Sequence, residues 1–401
     1  MRILFVAFSH SIHTTRWINQ LSGLGWDLHL FPSIDNGRVN PDLRNVTVHH
    51  SLYVSQRNHD RTVHLRGVPL INSRWSPHLE SLGKGVLRHT WPDYRVAQLE
   101  RLIERLRPDV IHSMEIQSAG YLVSKVRKRQ RGSFPPWIVT NWGSDIYLFG
   151  RLSNHVSKIK EVLSGCDYYI CECYRDVQLA KQMGLKGEVL AVLPCAGGFD
   201  LTRSVQLRQS GSTSARRLIL LKGHQDWAGR ALVGLHAIAL CAKELKGYRI
   251  GVYSAPEDVR IAAELVSQST GIPIEILPLC SHDDMLRLFG QARIYLGLSI
   301  SDAISTSLLE AMVMGAFPIQ SCTSCADEWI IDGQSGFVVP PEDPEPIAMA
   351  IRRAASDDAL VNHASEYNKQ IASERLDETI IRPQVIEMYR TCLENSNKNR
   401  R

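Results

Sequence analysis

The sequence predicts two doubly wound parallel α/β domains in one chain. Three observations carry that prediction. Short β-branched apolar runs alternate with helical patterns along nearly the whole length. The alternation comes as two series, parted by a Gly-, Ser- and Arg-rich stretch low in apolar residues, CAGGFDLTRSVQLRQSGSTSARR (195–217). A chain of 401 residues is also too long for one ordinary core, so two domains of roughly 200 residues are expected. The expected division is an N-terminal domain over 1–199, a C-terminal domain over 200–378, and a terminal helix with its tail over 379–401.

The elements follow in order. RILFVAF (2–8) is apolar but short and runs into SHSIHTTRW without a small-residue cleavage site. It therefore reads as a buried first strand, not a secretory signal. TRWINQLSGLG is a helix with Trp17, Ile18, Leu21 and Leu24 on one face and Gly25 as its stop. DLHLF, DVIHSM (109–114), PWIVTNW (136–142), DYYICEC (167–173) and EVLAVLPC (188–195) continue the strands. Residues 35–95 are irregular and rich in His and Arg, and receive no assignment. The second series runs LILLKG (218–223), YRIGVYS, IEILPL, IYLGLS (294–299), FPIQS and GFVVP, with helices between, and IIRPQVIEMYRTCL is a final helix.

Composition narrows the function classes. Apolar content of 44% and charged content of 22% are those of a soluble globular protein. No apolar run reaches the ~18 residues of a membrane span. Nine cysteines at irregular spacing suggest reduced thiols and a cytoplasmic protein. Cys322-x-x-Cys325 and Cys171-x-Cys173 lack the paired spacing of a zinc site, so no metal is expected. Residues 1–200 carry 25 Lys and Arg against 17 Asp and Glu, whereas residues 201–401 carry 21 against 24. The basic half suits an acidic partner such as an anionic membrane face, with SKVRKRQRG (124–132) its densest cluster; the alternative is a solvated helix end. No aromatic stripe interleaves the basic residues, and no nucleic-acid partner is expected.

Open parallel sheets bind ligands outside the carboxyl ends of their strands. The polar residues just past each strand are therefore the candidates. After the first strand they are His10, His13 and Arg16; after PWIVT they are Trp142, Gly143 and Asp145 in NWGSD. In the second half they are Lys222, Gly223 and Arg230, then Asp302. Two such sheets facing each other would make the cleft interdomain.

The stretch SISDAISTSLLEAMVMGAFPI (299–319) is the most informative. Ser305 or Thr306 can cap a helix that stops at Gly315. Its start, from Ile304 through Ser307, offers unpaired N–H groups and a positive dipole as a seat for phosphate. Leu308, Leu309 and Met312 fall on the core side, and Ser307, Glu310 and Met314 on another face. Glu310, one turn in, suits the two hydroxyls of a ribose, and Asp302 the hydroxyls of a second sugar. A diphosphate between them would rest on the helix start, neutralised by Lys222 and Arg230.

SDAISTSLLEAMVMGAFPIQS…DEWIIDGQSGFVVPPEDPEPIA (301–348) resembles the donor-binding half of retaining glycosyltransferases of the GT-B architecture, glycosyltransferase family 4. The family signature is two acids separated by seven residues, here Asp302 and Glu310, then Ala311-Met312 and Gly315. PCAGGFD (194–200) is similar to its interdomain segment and NWGSD to its His-Gly-x-Asp segment, and the final helix would cross back to the first domain as the family's does. The chain departs from the pattern at three places. Asp302 stands where Glu is usual, Lys222 and Arg230 exchange the usual types of the phosphate-binding pair, and Trp142 replaces a His.

The resemblance implies transfer of a hexose from a nucleotide-diphosphate sugar to an acceptor hydroxyl with retained configuration. Lys222, Arg230 and Asp302 would be the catalytic group. Glu310, Ile304, Ser305, Thr306, Ser307, Gly223 and His13 would hold the donor, with Trp142, Gly143, Asp145 and Arg16 at the acceptor or cleft side. The chain has no Asp-x-Asp, which favours a metal-independent reaction without cofactor. The family context suggests a glycan or lipid-linked glycan acceptor in bacterial surface polysaccharide assembly, at the inner membrane face. Two alternatives stay open: a non-catalytic nucleotide-sugar-binding protein, and a sugar-phosphate epimerase or phosphorylase.

Overall fold

The computed structural model describes residues 1–54, 60–69, 91, 93–130 and 132–399. The chain forms two compact units, Met1–Gly197 with Ile381–Arg401, and Gly198–Ile380. In the first unit the strands are β1 (Arg2–Ala7), β2 (Asp27–Pro32), β3 (Val46–Val54), β4 (Val63–Pro69), β5 (Val110–Met114), β6 (Trp137–Thr140), β7 (Tyr168–Cys171) and β8 (Glu188–Val192). Its helices are α1 (Ile12–Asn19), α2 (Tyr94–Leu106), α3 (Tyr121–Arg129), α4 (Ser153–Gly165) and α5 (Tyr174–Gln182), with a π-turn at Ile116–Gly120. In the second unit the strands are β9 (Leu218–Lys222), β10 (Arg249–Tyr253), β11 (Ile274–Ile276), β12 (Ala292–Gly297), β13 (Phe317–Ser321) and β14 (Phe337–Val339). Its helices are α6 (Leu201–Leu207), α7 (Ala231–Leu240), α8 (Glu257–Thr270), α9 (His282–Gln291), α10 (Thr306–Met314), α11 (Pro344–Ser356) and α12 (Asp358–Arg375). A last helix, α13 (Glu378–Asn399), begins at the end of the second unit and continues into the first.

Both sheets are parallel throughout. Their orders are β4-β3-β2-β1-β5-β6-β7-β8 and β11-β10-β9-β12-β13-β14. Helices cover both faces, so the central strands are apolar on both sides. In β9, Ile219 and Leu221 enter one core layer, and Leu218 and Leu220 the other. In β1, Ile3 and Phe5 separate from Leu4 and Val6 in the same way.

β3 and β4 lie in the stretch that received no assignment. The reason is chemical. Buried positions on β3 are filled by polar pairs: His29 Nδ1 and His49 Nε2 stand 3.0 Å apart, and His50 Nδ1 is 2.8 Å from Asp35 Oδ1. An alternation that counts His as polar hides such strands. Residues 55–59, 70–90 and 92 of that stretch lie outside the described residues.

α13 docks in the first unit through Arg382, which donates to Gln20 O and Ser22 O, and through a buried hydrogen-bonded chain. Trp17 Nε1–H donates to Tyr389 Oη at 2.9 Å. Tyr389 Oη is 2.6 Å from His112 Nδ1, and His112 Nε2 is 2.6 Å from Thr140 Oγ1. Since the phenol already accepts from Trp17, it donates to Nδ1, and the His112 proton sits on Nε2. Burial holds His112 neutral, its pKa pushed down to about 3. Among the described residues no helix is long and apolar enough to cross a membrane.

Candidate functional site

The order of each sheet reverses at one point, between β1 and β5 and between β9 and β12. A crevice opens where loops leave in opposite directions. The predicted residues of the second unit stand at its reversal. Lys222 ends β9 half-buried, and no carboxylate among the described residues lies within ion-pair distance of it. The N–H of Gly223 donates to Tyr253 O at 2.8 Å. A Cβ at Gly223 would come 2.7 Å from that oxygen, so the approach needs glycine.

The turn after β9 is laced to the segment after β12. Asp226 Oδ1 accepts from the N–H groups of Ala228 and Gly229, both at 2.8 Å. Arg230 N donates to Leu298 O at 3.1 Å, and Ile300 N to Ala228 O at 2.9 Å. Gly229 passes so close to His224 that a Cβ would meet its carbonyl oxygen at 2.2 Å. This lacing brings Asp302 into the surroundings of Lys222. Desolvation and then the Lys222 ammonium lower the His224 pKa, against the opposing pull of Asp226 and Asp302. All four side chains therefore share one electrostatic neighbourhood.

Arg230 makes contacts of its own. It stands at the start of α7 with its Nε 3.2 Å from Glu342 Oε1 and its Nη1 donating to Gly229 O at 2.9 Å. Its guanidinium braces the turn, which leaves Lys222 as the cation at the strand end.

α10 starts after Ser305, which holds the N-cap position with extended backbone but makes no side-chain cap bond. Thr306 is the first helical residue and Ser307 is half-buried; the helix stops at Gly315 in the left-handed conformation, φ 77°. The expected division into a core side and a second face of Ser307, Glu310 and Met314 does not hold. Every residue from Leu308 to Met314 is buried, Met314 completely, because α9 and α12 pack over the side the pattern left open. Ile304 is also buried. Glu310 keeps only 10% of its side chain exposed, and its Oε1 lies 2.8 Å from Nε2 of His282, the first residue of α9. Asp302 Oδ1 accepts from Ala303 N at 2.9 Å. Burial raises the pKa of the Tyr295 phenol, and the charges of both Asp302 and Glu310 add to the rise. Both acids thus surround one buried phenol.

In the first unit the reversal gathers an aromatic group. Ser11 caps α1, its Oγ accepting from His13 N at 3.2 Å. The His13 ring meets Trp142 edge-on with centroids 5.8 Å apart, and Phe8 lies 6.0 Å from Trp142 and 5.8 Å from His10. Gly143 belongs to the same turn as Trp142, and Arg16 is half-buried on α1. Asp145 does not cap a following helix. It is buried, and its Oδ2 accepts from Trp142 N and from Ile116 N, both at 2.9 Å, tying this turn to the end of β5.

Two acids escaped the sequence reading. Glu115 follows β5 with φ 80°, and its carboxyl accepts from the N–H groups of Ser118, at 2.7 Å, and Ala119. Burial pushes its pKa up to about 7. Burial and then the Glu115 charge raise Asp145 well above the usual carboxylate range. Asp176 is buried and accepts from Asn141 Nδ2 at 2.8 Å and Arg175 Nε at 2.9 Å. The rule of reading past each strand end, applied to DVIHSM, points to Glu115; applied to LILLKG, it points to His224. His282 gives no such signal.

The basic cluster of α3 is not a free cationic patch. Arg127 forms a two-pronged pair with Asp167 at 2.8 and 3.0 Å, Lys128 meets Glu161 at 2.6 Å, and Lys125 and Arg129 both face Asp93.

Comparison with known proteins matches this arrangement. The family described as Glycosyl transferases group 1 matches residues 263–371, which contain Asp302 and Glu310, and Glycosyl transferase 4-like matches residues 90–171. A curated relative, the UDP-N-acetylglucosamine–peptide N-acetylglucosaminyltransferase GtfA subunit of Streptococcus pneumoniae, is 23% identical over 152 residues, 38% of this chain. The match spans 29% of that relative's length. Among solved structures, sucrose-phosphate synthase from Thermosynechococcus elongatus is 15% identical with a TM-score of 0.72, covering 98% of this chain and 100% of that one. Anabaena Alr3699/HepE, solved in complex with UDP and glucose, is 15% identical with a TM-score of 0.70 at the same coverage. With a family match on each half, the chain is similar to group 1 and glycosyltransferase 4-like glycosyltransferases, and it shares the two-sheet GT-B fold with these solved structures over nearly its whole length.

Proposed function

We propose that the protein is a retaining hexosyltransferase that moves a hexose from a nucleotide-diphosphate sugar to a hydroxyl of a glycan or lipid-linked glycan. The observation that carries this reading is the convergence of Lys222, Asp302 and the start of α10 at one sheet reversal, with Glu310 a turn deeper. In this reading Glu310 accepts the ribose hydroxyls and the N–H groups from Ile304 to Ser307 receive the diphosphate. Asp302 holds hydroxyls of the hexose. Negative charge grows on the leaving phosphate oxygen as the sugar becomes cationic, and a fixed ammonium at Lys222 stabilises that transition state most. Arg230 acts by bracing the loop that carries this geometry. Gly223 permits the close approach of backbone to phosphate. Trp142, Gly143, Asp145 and Arg16 form the acceptor or cleft side in the first unit, where the aromatic group suits the apolar face of a sugar ring, and His13 beside Trp142 keeps the donor-binding role that the resemblance implies.

A uridine donor is the first to test, since the Anabaena neighbour was solved with UDP and glucose. The expected setting is bacterial surface polysaccharide assembly in the cytoplasm. The paired cations of α3 lend no support to attachment at an anionic membrane. A thermal-shift panel of UDP-, GDP-, ADP- and dTDP-sugars tests the proposal. One donor at a hundredfold excess over Kd should stabilise by about 2.7 kcal/mol, and the stabilising donor should be slowly hydrolysed. Stabilisation without hydrolysis or transfer would instead favour a binding protein. Lys222 supplies the neutralising charge in this scheme, so EDTA should leave the rate unchanged; a loss restored by Mg²⁺ would overturn the metal-free scheme.

A further inference from the structure

We infer that His282 is a positioning residue that aims Glu310 at the ribose hydroxyls and so sets the preference for ribonucleotides over 2′-deoxyribonucleotides. The inference rests on the donor reading above and adds a residue to it.

Glu310 lies in a helix whose neighbouring positions, Leu308, Leu309, Ala311, Met312 and Val313, are all buried and apolar. A carboxylate in such a place needs a donor. His282 supplies one, with Nε2 2.8 Å from Oε1. A carboxylate oxygen accepts, so Nε2 carries the proton. The two groups come from different helices and differ in exposure: 10% of the Glu310 side chain is accessible, against 46% for His282. The imidazole therefore reaches in from the rim while the carboxylate stays in the wall.

The start of α9 is itself held. Ser281 Oγ accepts from Asp284 N at 3.2 Å and donates to Asp284 Oδ2 at 2.6 Å. Asp283 is paired with Arg203 through Nε at 3.0 Å and through Nη2. A ring on a capped and ion-paired helix start has little freedom, and it passes that fixity to the carboxylate. Two hydroxyls on adjacent ribose carbons need a carboxylate at one rotation, whereas base and diphosphate contacts do not. Removing His282 leaves the charge of Glu310 in place but takes away the bond that fixes Oε1. The loss should therefore fall on the diol and spare the rest of the nucleotide.

The experiment measures Kd for UDP and 2′-deoxy-UDP by calorimetry on the full chain. If another nucleotide stabilises in the panel, the corresponding pair from GDP or ADP is used. The wild-type protein should prefer the ribonucleotide by about tenfold or more, the value of a hydrogen bond to a charged group. In H282A the preference should fall to within about twofold, through weaker UDP binding at unchanged 2′-deoxy-UDP binding. H282Q, which restores an N–H donor, should recover most of it, and this rescue separates positioning from a general loss of structure. E310Q should lose the preference as H282A does. A wild-type ratio in H282A, with loss in E310Q, overturns the inference and leaves Glu310 as the ribose ligand alone. Loss in H282A with retention in E310Q also overturns it, because the effect would not run through Glu310. A wild-type ratio in both variants, or no binding of any of the three ribonucleotides, removes the underlying donor reading as well.

Discussion

Glu310 and Lys222 bear opposite charges at one sheet reversal and make opposite demands on an experiment. Glu310 sits in an apolar helix with its carboxylate against His282. In the proposed site it contributes in ground state and transition state alike, so Glu310→Gln should weaken UDP binding about tenfold with a smaller change in kcat. Unchanged nucleotide affinity would take Glu310 out of the site. Lys222 faces charge that develops only as the bond breaks. Lys222→Ala should lower kcat by ~10²–10³ with donor KM nearly constant. A purely KM effect in steady-state assays would make Lys222 a binding residue instead. Arg230 stands apart from both, since its guanidinium already serves Glu342 and the turn carbonyls.

At the scale of elements, the docking of α13 offers a direct test. Trp17, Tyr389, His112 and Thr140 come from α1, α13, β5 and β6 and share one chain of hydrogen bonds. Tyr389 is the link that both accepts and donates. Tyr389→Phe leaves the Trp17 N–H and the His112 Nδ1 buried and unsatisfied, at a cost of about 1–3 kcal/mol for each group. Chemical denaturation should show a fall of that order in stability. A variant as stable as the wild-type protein would mean that water or a shifted rotamer replaces the phenol. The same logic explains why Asp145 is buried: it joins the Trp142 turn to the end of β5 by two N–H bonds, a structural task that any acceptor contact of that turn depends on.

At the scale of the molecule, buried titratable groups give the first unit opposed pH dependences. Burial depresses His112 to about 3. The unfolded chain takes up a proton near 6.5 that the fold refuses, so this stability is complete above 6.5 and is lost as pH falls. Burial raises Glu115 to about 7. Here the fold keeps a proton that the unfolded chain releases near 4.5, so that stability is complete below 4.5 and is lost as pH rises toward 7. Variants separate the two. The deficit of His112→Asn relative to wild type should narrow by about 1.4 kcal/mol per pH unit below 6.5. That of Glu115→Gln should narrow as pH rises from 4.5 to 7. Denaturation midpoints across pH 4.5–7.5 measure both, and parallel pH curves for wild type and a variant would refute that group's assignment.

How far the sequence could be read follows from how each feature is encoded. The central strands were legible because both of their faces are covered, which demands continuous apolar runs such as Leu218 to Leu221. Lys222 and Asp302 could be located because parallel sheets put their functional loops at known strand ends, and a local pattern marks those ends. β3 escaped because its buried positions are satisfied by His49 and His50 with partners on other segments. The acids beside the aromatic turn escaped because Glu115 and Asp176 look like surface residues until burial is known. Local chemistry by itself therefore determined the layered fold class and the positions of the candidate charges. Only the tertiary structure decided their partners. Arg230 meets Glu342, and Glu310 meets His282, across helices and loops whose adjacency is set by packing. A side chain's charge is a property of one residue, but its orientation and freedom belong to the neighbours that the fold brings within hydrogen-bonding distance.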